Sequence, residues 1–186
     1  MRKNFGPKPW IFPEPVLIIG TYDEDGVPCA MNAAWGGIDD TEQINMCLSH
    51  THKTVKNIMR QHAFTVSMGT VPQLVACDYV GVVSGNKTTD KVERAGFTVT
   101  PSNTVNAPIF NELPMTLECE LISYDPASGH LKGRIVNISA DESILDAEGR
   151  IDPAKLQPIT FDPVHNVYRS LGPIVGRAFH DGLSLK

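Results

Sequence analysis

The four cysteines, Cys29, Cys47, Cys77 and Cys119, never form a C-x-x-C pair and lie 18, 30 and 42 residues apart. That spacing excludes a zinc knuckle and a thioredoxin-type redox pair. Each thiol sits among apolar neighbours, which predicts buried free cysteines. Long apolar stretches are missing too. Val16–Ile19 is among the longest, far below the roughly 18 residues of a membrane span. The first ten residues carry Arg2, Lys3 and Lys8 but lead into Pro13 and Pro15, without an apolar leader. The expectation is a cytoplasmic protein that binds no membrane. Positive charge is in deficit, with 16 lysines and arginines against 21 acidic residues and a formal net charge of −5. This balance removes the footprint of a nucleic-acid binder. Signatures of a nucleophile, a metalloprotease helix or a dinucleotide loop (G-x-S-x-G, H-E-x-x-H, G-x-G-x-x-G) do not occur.

What is present is punctuation: 15 glycines and 14 prolines among 186 residues, an excess that favours turns and short strands. Val16–Tyr22 (VLIIGTY), the turn Asp23–Gly26 (DEDG) and Val27–Asn32 form a hairpin pattern. Ile44–Leu48 is another short strand. In His52–His62, Val55, Ile58 and Met59 fall at i, i+3 and i+4, one face of a helix. Ala63–Met68 returns to strand alternation. Val71–Val83 reads as a mostly buried helix with Leu74, Val75 and Val82 on its apolar side, and Thr89–Ala95 as a short helix closed by Gly96. Met115–Tyr124 alternates as a half-buried strand, and Asp125–Gly129 (DPASG) returns it to Leu131–Ser139. The prolines after Ile151 suit a wrapping tail. Strands do not alternate regularly with helices, so the predicted fold is mainly β, an antiparallel barrel with short helices outside, in a single domain over residues 1–186.

Four segments offer candidate chemistry. Ser49–Thr54 (SHTHKT) puts hydroxyls, Lys53 and free N–H groups at a helix start, which suits an anion such as phosphate; the plainer reading is an N-cap with a solvated lysine. His50 and His52 share one side of an extended segment, but no third ligand completes a metal set. Gly81–Thr88 (GVVSGNKT) misses the phosphate-loop spacing, although Ser84, Gly85, Lys87 and Lys91 can still bring donors and charge to a ligand. Asn32–Gly37 (NAAWGG) leaves backbone exposed beside a tryptophan, where something flat fits as well as a core tryptophan and a turn do. The Asp39–Asp40 pair reads as a solvated loop.

In order along the chain, Ile18–Tyr22 (IIGTY), Asn32–Gly37, Ser49–Thr54, Asp78–Val80, Val83–Gly85, Asp90–Lys91, Leu117–Glu120 (LECE) and Leu171–Phe179 (LGPIVGRAF) resemble the flavin reductase-like proteins, the group that includes flavoredoxin. The resemblance implies an FMN-binding split β-barrel of antiparallel Greek-key type and a homodimer with FMN near the subunit interface. It implies that Asn32, Ala33, Ala34 and Trp35 lie against the flavin ring. Ser49, His52, Lys53 and Thr54 match the phosphate-binding helix entry, and Ser84, Gly85 and Lys91 match a later loop that reaches the cofactor. His130 and Phe161 are further cofactor-binding candidates. No catalytic side chain and no metal ligand are implied. The activity implied is an FMN-dependent NAD(P)H:flavin oxidoreductase, with NAD(P)H as a transient donor. A flavoredoxin-like electron carrier with a protein redox partner is the alternative, and a cofactor-free binding module on the same barrel the second.

Overall fold

A computed structural model describes residues 1–186. In chain order the elements are β1 (Glu14–Pro15), β2 (Leu17–Tyr22), β3 (Pro28–Ala33), β4 (Gly36–Asp40), β5 (Gln43–Cys47), α1 (Lys53–Gln61), β6 (Ala63–Met68), α2 (Leu74–Val82) and α3 (Lys91–Arg94). They continue with β7 (Val99–Pro101), β8 (Pro108–Phe110), β9 (Met115–Asp125), β10 (His130–Ala140), α4 (Pro153–Leu156), β11 (Ile159–Asp162) and β12 (Val167–Ser170). Seven strands form one antiparallel sheet in the order β3-β2-β6-β9-β10-β5-β4, and β1-β11-β12 form a smaller one.

The edges of the large sheet, β3 and β4, are consecutive in sequence and separated only by Ala34 and Trp35. Six interstrand spacings of about 4.8 Å would hold the edges of a flat sheet about 29 Å apart. Three Cα steps reach about 11 Å at most. The sheet therefore curls into a half-barrel whose edges approach one another, and the Ala34–Trp35 crossing marks the split. The expected antiparallel barrel is the fold observed.

Alternation along β2 serves two cores. Leu17 and Ile19 point into the barrel with Met31, Ile44, Met46, Phe64, Val66, Leu117 and Leu131, and α1 adds Val55 and Ile58. Val16 and Ile18 point outward, where α2 and α3 cover them with Ala76, Cys77, Val80 and Val92, together with Phe97 and Phe110. Two close approaches require glycine. A Cβ on Gly133 would stand 2.4 Å from Phe64 Cζ, and one on Gly20 would stand 2.4 Å from Thr65 Oγ1.

Several expectations need correction. Helix α2 buries Ala76, Cys77 and Val80, whereas Val75 and Val82 are exposed. Asp78 apart, the segment is apolar on every side, so its period names no inner face, and packing on β3 decides. In α1, Met59 is exposed and Asn57 is buried instead, its Nδ2 donating to Thr21 Oγ1 at 3.0 Å. Cys47 is exposed, because β5 alternates Ile44 and Met46 inward with Asn45 and Cys47 outward. Asp39 sits on strand β4, not in a loop, where its carboxylate accepts from Lys132 Nζ at 2.5 Å and Asn45 Nδ2 at 3.1 Å. The tail contains β11 and β12, tied to the body through Glu14↔Phe161 pairing.

Candidate functional site

Three hollows follow one another along β3 and the split. The first, about 210 Å³, is lined by Met31, Asn32, His52, Lys53, Thr54, Val80–Gly85 and Lys91. The second, about 240 Å³, shares Asn32 and Gly81 with the first and adds Val16, Ala34, Asp78, Phe161 and Tyr168. The third, about 820 Å³, shares Ala34 with the second and carries Trp35, Cys47, His130 and Glu14 on its walls.

The first hollow is built for an anion. Within α1, the N–H of Lys56 bonds to His52 O at 3.3 Å, while the N–H groups of Lys53, Thr54 and Val55 have no acceptor in the chain. His52 precedes the helix without capping it through its side chain. Lys91 opens α3 and is 4 % exposed. Burial pushes its ammonium below the ordinary lysine range, the Cys29 thiol nearby opposes this only in part, and no carboxylate faces it. His52 is likewise held down, first by burial and then by the charge of Lys91. A desolvated cation beside three free N–H groups attracts negative charge more strongly than either would in water.

Lys53 differs from Lys91. Its Nζ donates to Asp23 Oδ2 at 2.7 Å. Burial of Asp23 works against its ionisation, but the Lys53 hydrogen bond and the backbone N–H groups of Val27 and Asp25 prevail and hold that carboxyl below its usual range. The loop after α2 is anchored to the entry of α1 by Asn86, whose Nδ2 donates to Thr51 O at 3.0 Å and whose N–H donates to Ser84 Oγ at 3.3 Å. Glycine lets these backbones close. A Cβ on Gly85 would lie 3.0 Å from Cys29 Sγ, and one on Gly81 would lie 3.0 Å from Asn32 Cβ.

In the second hollow Asn32 points outward from the barrel and its Nδ2 donates to Cys77 O at 3.1 Å. Tyr168 donates to Asp78 Oδ1 at 2.7 Å. Burial and then that carboxylate push the phenol up, so it stays protonated. Tyr168 stands opposite Phe161 in register, with ring centroids 6.1 Å apart. In the third hollow, Cys47 N–H donates to Trp35 O at 2.8 Å, which fixes the backbone while leaving the indole 57 % exposed.

The structure thus gathers Asn32, His52, Lys53, Thr54, Ser84, Gly85 and Lys91 around one hollow. It sets Ala34 and Phe161 in the next, and Trp35 and His130 in the last. Ala33 instead faces the barrel core. Ser49 lines none of the three and is exposed, its Oγ 2.9 Å from Thr51 Oγ1. Asp78, Gly81 and Tyr168 were not among the predicted site residues. Asp78 lies in the Asp78–Val80 motif, but Tyr168 reaches the site from 90 residues away and carries no local signal.

The family described as flavin reductase like domain matches residues 11–156. Flavoredoxin of Desulfovibrio vulgaris (Miyazaki F) is 34% identical, with a TM-score of 0.93 over 98% of this chain and 100% of that one. Flavoredoxin from Methanosarcina acetivorans is 23% identical, with a TM-score of 0.91 over 100% of both chains. Nitrilotriacetate monooxygenase component B from Bacillus cereus shares the fold at 20% identity and a TM-score of 0.77, over 90% of this chain and 88% of that one. With a profile match over most of its length and the same curled barrel throughout, this chain belongs to the flavin reductase like domain family.

Proposed function

We propose that this chain binds FMN and carries reducing equivalents, with a redox protein as its partner. The observation behind this reading is Lys91, a buried ammonium without a counter-ion, facing the free N–H groups that open α1. Such a pair calls for an anion, and the linked hollows continue from it as room for a polar chain and a planar ring. In this reading Lys91, Thr54, Ser84 and Gly85 hold the phosphate, with Lys53 as an outer charge. Asn32, Ala34 and Trp35 lie along the ring, and Phe161 and Tyr168 bound its other side. FMN, when bound, supplies the electron and hydride chemistry, and the protein supplies binding, orientation and electrostatics. Tyr168 presents a neutral phenol, because Asp78 accepts its proton without removing it.

The likeness to a flavoredoxin at 34% identity favours electron transfer with a protein partner. Membership of the flavin reductase like family favours the second reading, reduction of flavin by NAD(P)H. The visible spectrum of protein purified without added flavin, followed by titration with FMN, tests the shared part. A colourless chain that takes up no FMN would sink both readings and leave a cofactor-free binding module. Steady-state NAD(P)H oxidation with added FMN separates them: turnover supports the reductase, and retained FMN without turnover supports the carrier. Lys53→Ala weakens FMN binding more than riboflavin binding, and less than loss of Lys91 does, because Asp23 already pairs with Lys53. Equal losses for FMN and riboflavin would contradict a phosphate role for Lys53.

A further inference from the structure

The first two hollows carry opposite charge. Lys53 and Lys91 supply the formal charges on the first, which has no carboxylate on its walls. The second has one charged group, Asp78; Val16, Ala34 and Phe161 beside it are apolar, and Asn32 and Tyr168 are neutral. Asn32 and Gly81 are common to both. A ligand that spans the pair therefore meets cations at one end and an anion at the other.

No cation of the chain pairs with Asp78, whereas Asp23, Asp39, Asp90 and Asp162 each have one. Its side-chain donor is the neutral hydroxyl of Tyr168, 2.7 Å from Oδ1. The charge is also fixed in place. Asn32 pins α2 to β3 at the adjoining Cys77 O, at 3.1 Å, and Tyr168 holds the carboxylate from β12. Half-buried, that charge is only partly screened by water.

We infer that Asp78 sets the oxidation state that the second hollow prefers, so that a neutral oxidised flavin ring is held more tightly than its reduced anion. This rests on the FMN reading and deepens it, by assigning a role to a carboxylate that the phosphate does not touch. Reduction brings two electrons and one proton to the neutral ring and leaves one negative charge, which a second proton cancels. The phosphate occupies the cations of the first hollow, so nothing on the walls of the second offsets that charge. A hollow of about 240 Å³ is roughly 8 Å across, and over that distance a like charge at an effective permittivity of about 20 weakens binding by about tenfold or more.

The test compares the midpoint potentials of bound and free FMN, read from the visible spectrum during anaerobic reduction with dithionite beside a reference dye. Reduced FMN is expected to bind about tenfold or more less tightly than oxidised FMN, which places the bound potential about 30 mV or more below the free one for the two-electron couple. Asp78→Asn keeps the shape and an acceptor for Tyr168 but removes the charge. It is expected to raise the potential by about as much, with the affinity for oxidised FMN little changed. Asp78→Glu keeps the charge and the low potential. A native potential at or above that of free FMN, an unchanged potential in Asp78→Asn, or an equal rise in Asp78→Glu would each overturn the inference. Because oxidised FMN is titrated first, these outcomes leave the FMN reading standing, whereas a chain that takes up no FMN ends both.

Discussion

Lys91→Met lowers FMN affinity by about 10- to 100-fold, the worth of a charge-assisted hydrogen bond at roughly 1.5–3 kcal/mol. The same substitution raises the thermal stability of the FMN-free protein. Both effects come from one feature, an ammonium 4 % exposed with no carboxylate facing it. Without an anion the desolvation of that charge is uncompensated, and replacing it by an apolar side chain of similar length removes the penalty. With an anion bound, the same desolvation strengthens the attraction. Methionine keeps an unbranched stem of similar length at the start of α3. The pH dependence follows with a definite sign. Burial holds the folded-state pKa of Lys91 below that of the unfolded chain. Between the two values the unfolded chain binds more protons, so stability rises with pH on approach to the ordinary lysine range. That slope is absent from Lys91→Met. Flavin fluorescence titration and thermal unfolding without flavin check the two halves. Lower stability of the FMN-free variant would make Lys91 a structural residue and remove the anion assignment.

Hairpin β9–β10 was legible because one strand alternates cleanly and DPASG can only turn, and Gly129 indeed takes φ +77° there. Helix α1 was legible from its 3.6-residue period, although the period misplaced Met59 and gave no hint that Asn57 would be buried. Helix α2 shows where periodicity fails: with valine and alanine on every side, only contact with β3 tells inside from outside. Strand β4, with two glycines and two aspartates in five residues, has the composition of a loop and owes its state to pairing with β5. β11 and β12 were hidden among prolines and depend on β1, more than 140 residues earlier. The site divides in the same way. Hydroxyls and a lysine before a helix announce an anion, so the entry of α1 was found from its own residues. Nothing local announces that Lys91 is buried, that Asp23 takes Lys53, or that Tyr168 meets Asp78, since all three result from tertiary packing.

Phe64→Ala costs about 3–5 kcal/mol of unfolding free energy, the usual range for emptying a buried phenylalanine site. Phe64 has no exposure and sits at the centre of the barrel cluster, on β6 between β2 and β9. Strands on both sides restrain collapse around the cavity, which argues for the upper part of that range. The ring lies over Gly133 of β10, where an added Cβ would stand 2.4 Å from Cζ. Gly133→Ala alone therefore forces the ring or the strand to move, at about 1–3 kcal/mol. In the double variant the new methyl enters the space that the ring has left. The two costs then fall short of additivity by more than about 0.5 kcal/mol, beyond the scatter expected of independent sites. Urea unfolding of the four species forms the cycle. Additive costs would mean that the ring and the glycine are not one packing unit.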